Sequence, residues 1–310
     1  MRGSGLDVTA AASSGPRGRR DRSRATRHAS ERTTGRGPET AGPTRAWPDT
    51  PVCPDRRRRL PRDNAGVDAE AVTAEAARPV RRPVLVQWWR DLAFLHWAVD
   101  PAAVAPLLPP GTRPDVLDGR TYVGLVAFRM VRLGLLAGPG LPYLGTFCET
   151  NVRLYSVDTA GRRAVVFRSL DAARLLPVLA ARASLRLPYL WSRMRLHRDG
   201  DVLTYTCRRR WPGPRGTRSA LSVRVGAPIA EPSPLEHFVT ARWGLHTRAY
   251  GRTLHLPNVH PRWPLHRAEL VHLDDQLVGA AGLAAPSSGP VSVLWSPGVP
   301  VRFGAPAAVR

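Results

Sequence analysis

Lysine is missing altogether. All 46 basic residues of the 310-residue chain are Arg, Ile occurs once (Ile229), and only three Asn are present. Without an amine side chain, no lysine Schiff base, P-loop lysine or lysine general base is available, whatever the fold. The scarcity of Ile, Asn and Lys, all with AT-rich codons, fits a GC-rich coding sequence. The net charge of +22 is therefore a weak pointer to nucleic acid. Cysteine is also sparse. Cys53, Cys148 and Cys207 are odd in number and far apart, which excludes a disulfide framework and a C-x-x-C zinc knuckle and suits a reducing, cytoplasmic setting. No apolar run is long enough to cross a bilayer, so no membrane insertion is expected, and the N-terminus lacks the apolar stretch of a signal peptide. A G-x-S-x-G elbow, a dinucleotide glycine fingerprint in a strand and helix context and a Walker sequence are likewise missing.

What is present divides the chain. Residues 1–66 hold four residues of the Leu/Ile/Val/Phe set and 15 Arg against seven acidic residues, a composition that cannot bury enough apolar surface to offset ordering entropy. A disordered Arg/Pro/Gly-rich tail is expected, or translation of an upstream region with the true start near Val67 or Val72. The run Arg56-Arg57-Arg58-Arg59 could tether phosphate-bearing polymers or an anionic surface. A linker over 67–82, one domain over 83–303 and a short tail over 304–310 complete the division.

Within the domain, short apolar runs broken by Pro and Gly predict a β-rich fold with few helices. Val84 to Val99 reads as a strand or strand pair. Asp100-Pro101 starts a short helix to about Leu108. The Asp118-Gly119 turn leads into a strand from Thr121 to Val131. Further strands fall at Thr146 to Val157, Ala164 to Leu170, Leu190 to His197 and Val202 to Arg208. Leu176 to Arg186 has helical periodicity, and Ser233-Pro234-Leu235-Glu236 is a capping box opening a helix to about Arg242.

Strand alternation places Phe147, Glu149, Asn151, Arg153 and Tyr155 on one face. That polar row between aromatics either faces solvent or lines a pocket inside a curved sheet. Arg129 shares a face with Val123, Leu125 and Ala127, and Arg182 shares a helix face with Val178, Leu179 and Leu185. A guanidinium on an apolar stripe snorkels to an edge or needs an acid. With 14 acidic residues in 83–310, Glu149 is a candidate partner. His96, between Leu95 and Trp97, is a core histidine or a base. His255, His260 and His266 match no zinc spacing, so no metal site is expected. Arg208-Arg209-Arg210-Trp211 is either base-stacking surface or ordinary turn-edge charge.

Trp89-Arg90-Asp91-Leu92-Ala93-Phe94-Leu95-His96-Trp97, Leu108-Pro109 with Asp118-Gly119, and Phe147-Cys148-Glu149-Thr150-Asn151-Val152-Arg153-Leu154-Tyr155 resemble the YqjF-like family of uncharacterised bacterial proteins. So do Ser169-Leu170-Asp171-Ala172, Leu187-Pro188-Tyr189, Ser233 to Phe238 and Trp263-Pro264-Leu265. The resemblance runs from about Pro83 to Phe303. That family is similar to the acetoacetate decarboxylase-like superfamily, which implies an α+β fold: a strongly curved, mainly antiparallel β-sheet around an interior pocket, with a few short helices. In acetoacetate decarboxylases an Arg is followed six residues later by Pro-Lys, the Lys forming the Schiff base; here Arg182 precedes Pro188-Tyr189 at that spacing, and Glu149 matches an acidic pocket residue. The resemblance thus implies a pocket and removes the known mechanism.

The expected catalytic candidates are Glu149 and Tyr189, with Arg129, Asn151, Arg153, Arg182 and His96 as ligand-binding candidates. Glu149 and Arg182 are expected to meet beside Tyr189. The expected partner is an unidentified anionic or carbonyl metabolite, with no cofactor. Three functions compete: a small-molecule enzyme using acid/base rather than Schiff-base chemistry, a non-catalytic metabolite-binding module, and nucleic-acid or anionic-surface binding through the Arg-rich tail.

Overall fold

The computed structural model of the chain describes residues 67–284 and 288–310; the expectations for residues 1–66 lie outside them. Stretches 92–99 and 121–128 are almost continuously apolar, and the topology explains why. Strands β1 (Leu85–Val99), β2 (Thr112–Pro114), β3 (Thr121–Leu135), β4 (Phe147–Asp158) and β5 (Arg163–Ala172) open the domain. Helix α2 (Leu175–Leu185) follows the short α1 (Pro101–Val104) in chain order, then come β6 (Tyr189–Asp199), β7 (Val202–Trp211) and β8 (Arg218–Pro228). Helix α3 (Pro234–Thr240), β9 (Gly244–Ala249), β10 (Arg252–Val259), β11 (His266–Asp275), α4 (Leu277–Ala280), β12 (Ser292–Phe303) and β13 (Ala307–Ala308) complete it.

Pairing runs β12-β1-β3-β4-β5 through a shared, antiparallel central sheet. It closes twice. β9 and β10 bridge β5 to β12 on one side, and β6, β7, β8 and β11 bridge the same two strands on the other. The central strands are thus covered on both faces, so each must carry apolar side chains at successive positions. Phe94, Val126, Phe128, Phe147 and Tyr155 belong to one core. Leu95, Leu125, Ala127, Val152 and Leu154 belong to the other, with Leu203, Tyr205 and Leu221.

The turn and cap signals of the sequence form the expected elements. Asp100 caps α1 through Ala102 N–H at 2.8 Å. Ser233 and Glu236 make the reciprocal capping box of α3, and Pro234 opens that helix. Two boundaries differ from expectation. Residues 304–310 are not a free tail, because β13 adds to β10 at Leu254 and His255. Segment 67–82 is tied down as well: Glu70 N–H donates to Gly161 O at 2.9 Å, and Val72 packs on the core. No described helix is long and apolar enough to cross a membrane.

Candidate functional site

The polar row of β4 faces inward. Glu149, Asn151 and Arg153 are buried and line a cavity inside the ring closed by β9 and β10, together with Phe94 of β1, Phe128 of β3 and Leu256 of β10. The cavity encloses about 90 Å³, room for a metabolite of a few carbons rather than a coenzyme. Tyr189, the first residue of β6, reaches the same space and donates its hydroxyl to Glu149 Oε2 at 3.0 Å.

Burial dominates the electrostatics of this pair. Desolvation pushes Glu149 up to about 7 against the opposing pull of hydrogen bonds from Tyr189 and Asn151 and of the Arg153 charge. The Tyr189 hydroxyl is driven well above its ordinary range, first by burial and then by the neighbouring carboxylate. Glu149 is therefore poised to gain and lose a proton near neutrality, while Tyr189 stays a donor.

Arg153 supplies a charge without a counterion. Its Nε donates to Asn151 Oδ1 at 3.0 Å, its guanidinium stands 5.8 Å from the centre of the Phe167 ring, and among the described residues no carboxylate comes within salt-bridge distance. Gly124, on the neighbouring strand, makes its position feasible: a Cβ there would stand 2.9 Å from Arg153 Cγ and 3.1 Å from the His96 ring. A second guanidinium, that of Arg242, also lines the cavity. Arg242 and Arg163 share the single carboxylate of Asp115, so this end of the cavity carries net positive charge. Three buried polar atoms on the cavity wall, Trp89 Nε1, Arg242 Nη2 and Asn258 Oδ1, have no hydrogen-bond partner among the described residues. Buried polar groups are normally satisfied, so the wall is equipped for a polar ligand.

Other sequence candidates lie elsewhere. His96 sits behind the cavity wall, fully buried, with Nε2 2.8 Å from the Tyr155 hydroxyl. That hydroxyl donates to Val239 O at 3.0 Å, so His96 is the donor to Tyr155 and carries its proton on Nε2. Burial, then the charges of Arg153 and Arg242, holds its pKa well below the usual value and keeps it neutral. Arg129 is outside the cavity. It points to the opposite face, snorkels to the rim at half exposure and pairs with Asp91 at 3.1 Å.

Arg182 does not meet Glu149. It lies in the last turn of α2, donates to Tyr189 O at 2.7 Å and stacks 5.4 Å from the Trp211 ring centre. It orders the start of β6 through the backbone and leaves Glu149 to Tyr189. Arg209, within the Arg-rich run before Trp211, is buried in a bidentate pair with Asp171, both bonds 2.9 Å, with Ser192 on the same carboxylate. Arg242 and Asn258 line the cavity and were not among the sequence candidates, and His260, weighed in the sequence only against zinc spacings, lines it too; α3 ends two residues before Arg242, and Trp263-Pro264-Leu265 follows His260.

A cluster of Asp158, His246 and His255 brings metal-type donor atoms within 4.8 Å of one another. Asp158 already accepts from Arg162 Nε at 2.7 Å and from the Ala160 and Arg162 N–H groups. The carboxylate is neutralised there, and a dication would stand uncompensated beside Arg162.

A mainly antiparallel sheet curled around a polar cavity is the architecture of the acetoacetate decarboxylase-like fold. An enduracididine biosynthesis enzyme, MppR, in complex with pyruvate superposes with a TM-score of 0.51 at 14% identity, over 76% of this chain and 93% of the other. An acetoacetate decarboxylase-like enzyme from Sphingomonas wittichii RW1 gives 0.50 at 14% identity, over 74% and 93%. Within that fold, this chain belongs to DUF2071, a family described as an uncharacterized conserved protein, whose profile matches residues 86–300. It is 30% identical over 210 residues to the uncharacterized protein YqjF of Bacillus subtilis (strain 168), covering 67% of this chain and 86% of that one.

Proposed function

We propose that the cavity binds a small carboxylate that also carries a carbonyl, and that Glu149 transfers a proton on it. One observation carries this reading: a carboxyl poised near neutrality, bonded to Tyr189, shares its cavity with the unpaired guanidinium of Arg153. Arg153 has its Nε committed to Asn151, which leaves the two terminal nitrogens to grip a planar anion. Glu149 takes a proton from the carbon beside the carbonyl. The C–H electrons move into an enolate whose charge lies near Arg153 and Arg242, and return of the proton reverses the step. No amine takes part. Pyruvate in the MppR complex is a ligand of this chemical class.

A second reading, binding without turnover, draws support from the Tyr189 to Glu149 bond, which engages both groups with each other. Deuterium exchange separates the two. Pyruvate and acetoacetate are incubated with the protein in deuterium oxide and followed by NMR. Glu149→Gln should slow protein-dependent exchange by roughly 10²- to 10⁴-fold while leaving binding intact, and Arg153→Met should abolish binding. Binding without protein-dependent exchange would leave the non-catalytic reading, and binding insensitive to Arg153→Met would refute the site.

A further inference from the structure

Beside the cavity lies an apolar groove of about 350 Å³ between α2 and the connection from β3 to β4, and Leu85, Gln87, Met130, Leu185, Leu187 and Tyr189 line both spaces. Beyond them the groove walls are formed by side chains such as Leu133, Leu141, Leu144 and Leu176. Water reaches this apolar surface: among the lining residues Leu135 is 61% exposed and Leu176 58%, and Leu141 is exposed as well. Contiguous exposed apolar surface of this kind marks a binding site.

We infer that the ligand is amphipathic: an acyl-chain carboxylate whose charged head lies at Arg153 and whose hydrocarbon tail leaves past Tyr189 to lie in this groove. The inference rests on the carboxylate reading of the cavity and extends it to a substrate class. Polarity is graded across the two adjoining spaces. The cavity holds Arg153, Arg242 and the unpartnered Asn258 Oδ1. The groove holds leucines and the small residues Ala180 and Ala181 of α2, whose short side chains leave its depth. A second copy of the chain would bury the leucines but gives no account of why the groove adjoins a cavity that holds a buried cation. A tail joined to an anionic head occupies both spaces at once.

The test is calorimetric titration of the full chain with butyrate, hexanoate, octanoate and decanoate. Affinity should rise about three- to fourfold with each methylene buried, until the groove is filled. Ala180→Trp, at an exposed helix position that tolerates a large side chain, should erase the chain-length dependence. Arg153→Met should weaken all four acids alike. Equal affinity for all four acids would overturn the amphipathic assignment and leave the carboxylate reading standing. Affinities for all four acids that are unchanged by Arg153→Met would overturn the carboxylate reading and the head-inward orientation with it. Self-association abolished by Ala180→Trp, without a chain-length effect, would assign the groove to a second copy and likewise overturn the inference.

Discussion

Replacing Glu149 by Gln tests the central electrostatic claim through stability alone, with no ligand required. Gln has the shape and neutrality of protonated Glu and keeps an oxygen for the Tyr189 hydroxyl. In the folded protein Glu149 is raised from 4.5 to about 7, so between those values the native state holds a proton that the unfolded chain has released. Stability then falls as pH rises across that window, and it stays reduced above the folded pKa. About 2.5 pH units of displacement at 1.36 kcal/mol each correspond to about 3 kcal/mol. The wild type and Glu149→Gln should therefore be similar in stability near about pH 4, and the variant should lead by up to about 3 kcal/mol near about pH 8. Urea unfolding of both proteins across this range measures it, the difference between them cancelling every other titrating group. A difference that stays flat within about 0.5 kcal/mol would refute the claim that burial governs this carboxyl, and the assignment of Glu149 as a proton carrier near neutrality would go with it.

Three further outcomes follow from the packing. Arg209→Met should destabilise by about 3–5 kcal/mol by stranding the Asp171 carboxylate, and adding Asp171→Asn should recover much of that loss in a denaturation cycle; additive losses would show that the pair is not coupled. Gly298→Ala should cost at least about 2 kcal/mol, because φ there is +111° and a Cβ would stand 1.8 Å from Trp89 O; a smaller thermal shift than that cost implies would contradict the close approach of β12 to β1. The Cys207 thiol is buried and pushed above its ordinary range first by burial and then by Asp171, so alkylation of the native protein should spare it until unfolding, whereas half-buried Cys148 reacts first in peptide maps of the described domain.

The elements were legible where local chemistry decides them. The capping box at Ser233, the Asp118-Gly119 turn and the alternation along β4 each fix a short stretch of backbone, and that alternation is what brings Glu149, Asn151 and Arg153 to one face. What alternation does not encode is which side of a doubly covered sheet contains the cavity, or how deep a residue sits. Arg129 and His96 show the two failures. Arg129 lies on the face away from the cavity and finds Asp91 at the rim, while His96 lies on the cavity face but one layer behind it, bonded to Tyr155. Arg182 failed for a third reason. Helical periodicity turns it inward, but the last turn of a helix also faces the chain that follows, and the Tyr189 carbonyl is nearer than any acid. Arg242 and Asn258 come from distant segments that only tertiary closure brings to the cavity.

That closure carries a consequence for how the chain is made. β1 pairs along nearly its whole length with β12 and β3, and β12 also supplies the partner that joins β10 and β11 to the central sheet. On a ribosome releasing the chain from its N-terminus, neither ring can shut until the last long strand has emerged, and until then β1, β10 and β11 each wait with an unpaired edge. Such non-local pairing folds slowly and exposes strands that invite association with other chains. A nascent chain arrested before Ser292 should therefore remain a client of chaperones, and release of β12 is the event that commits the domain to its native state.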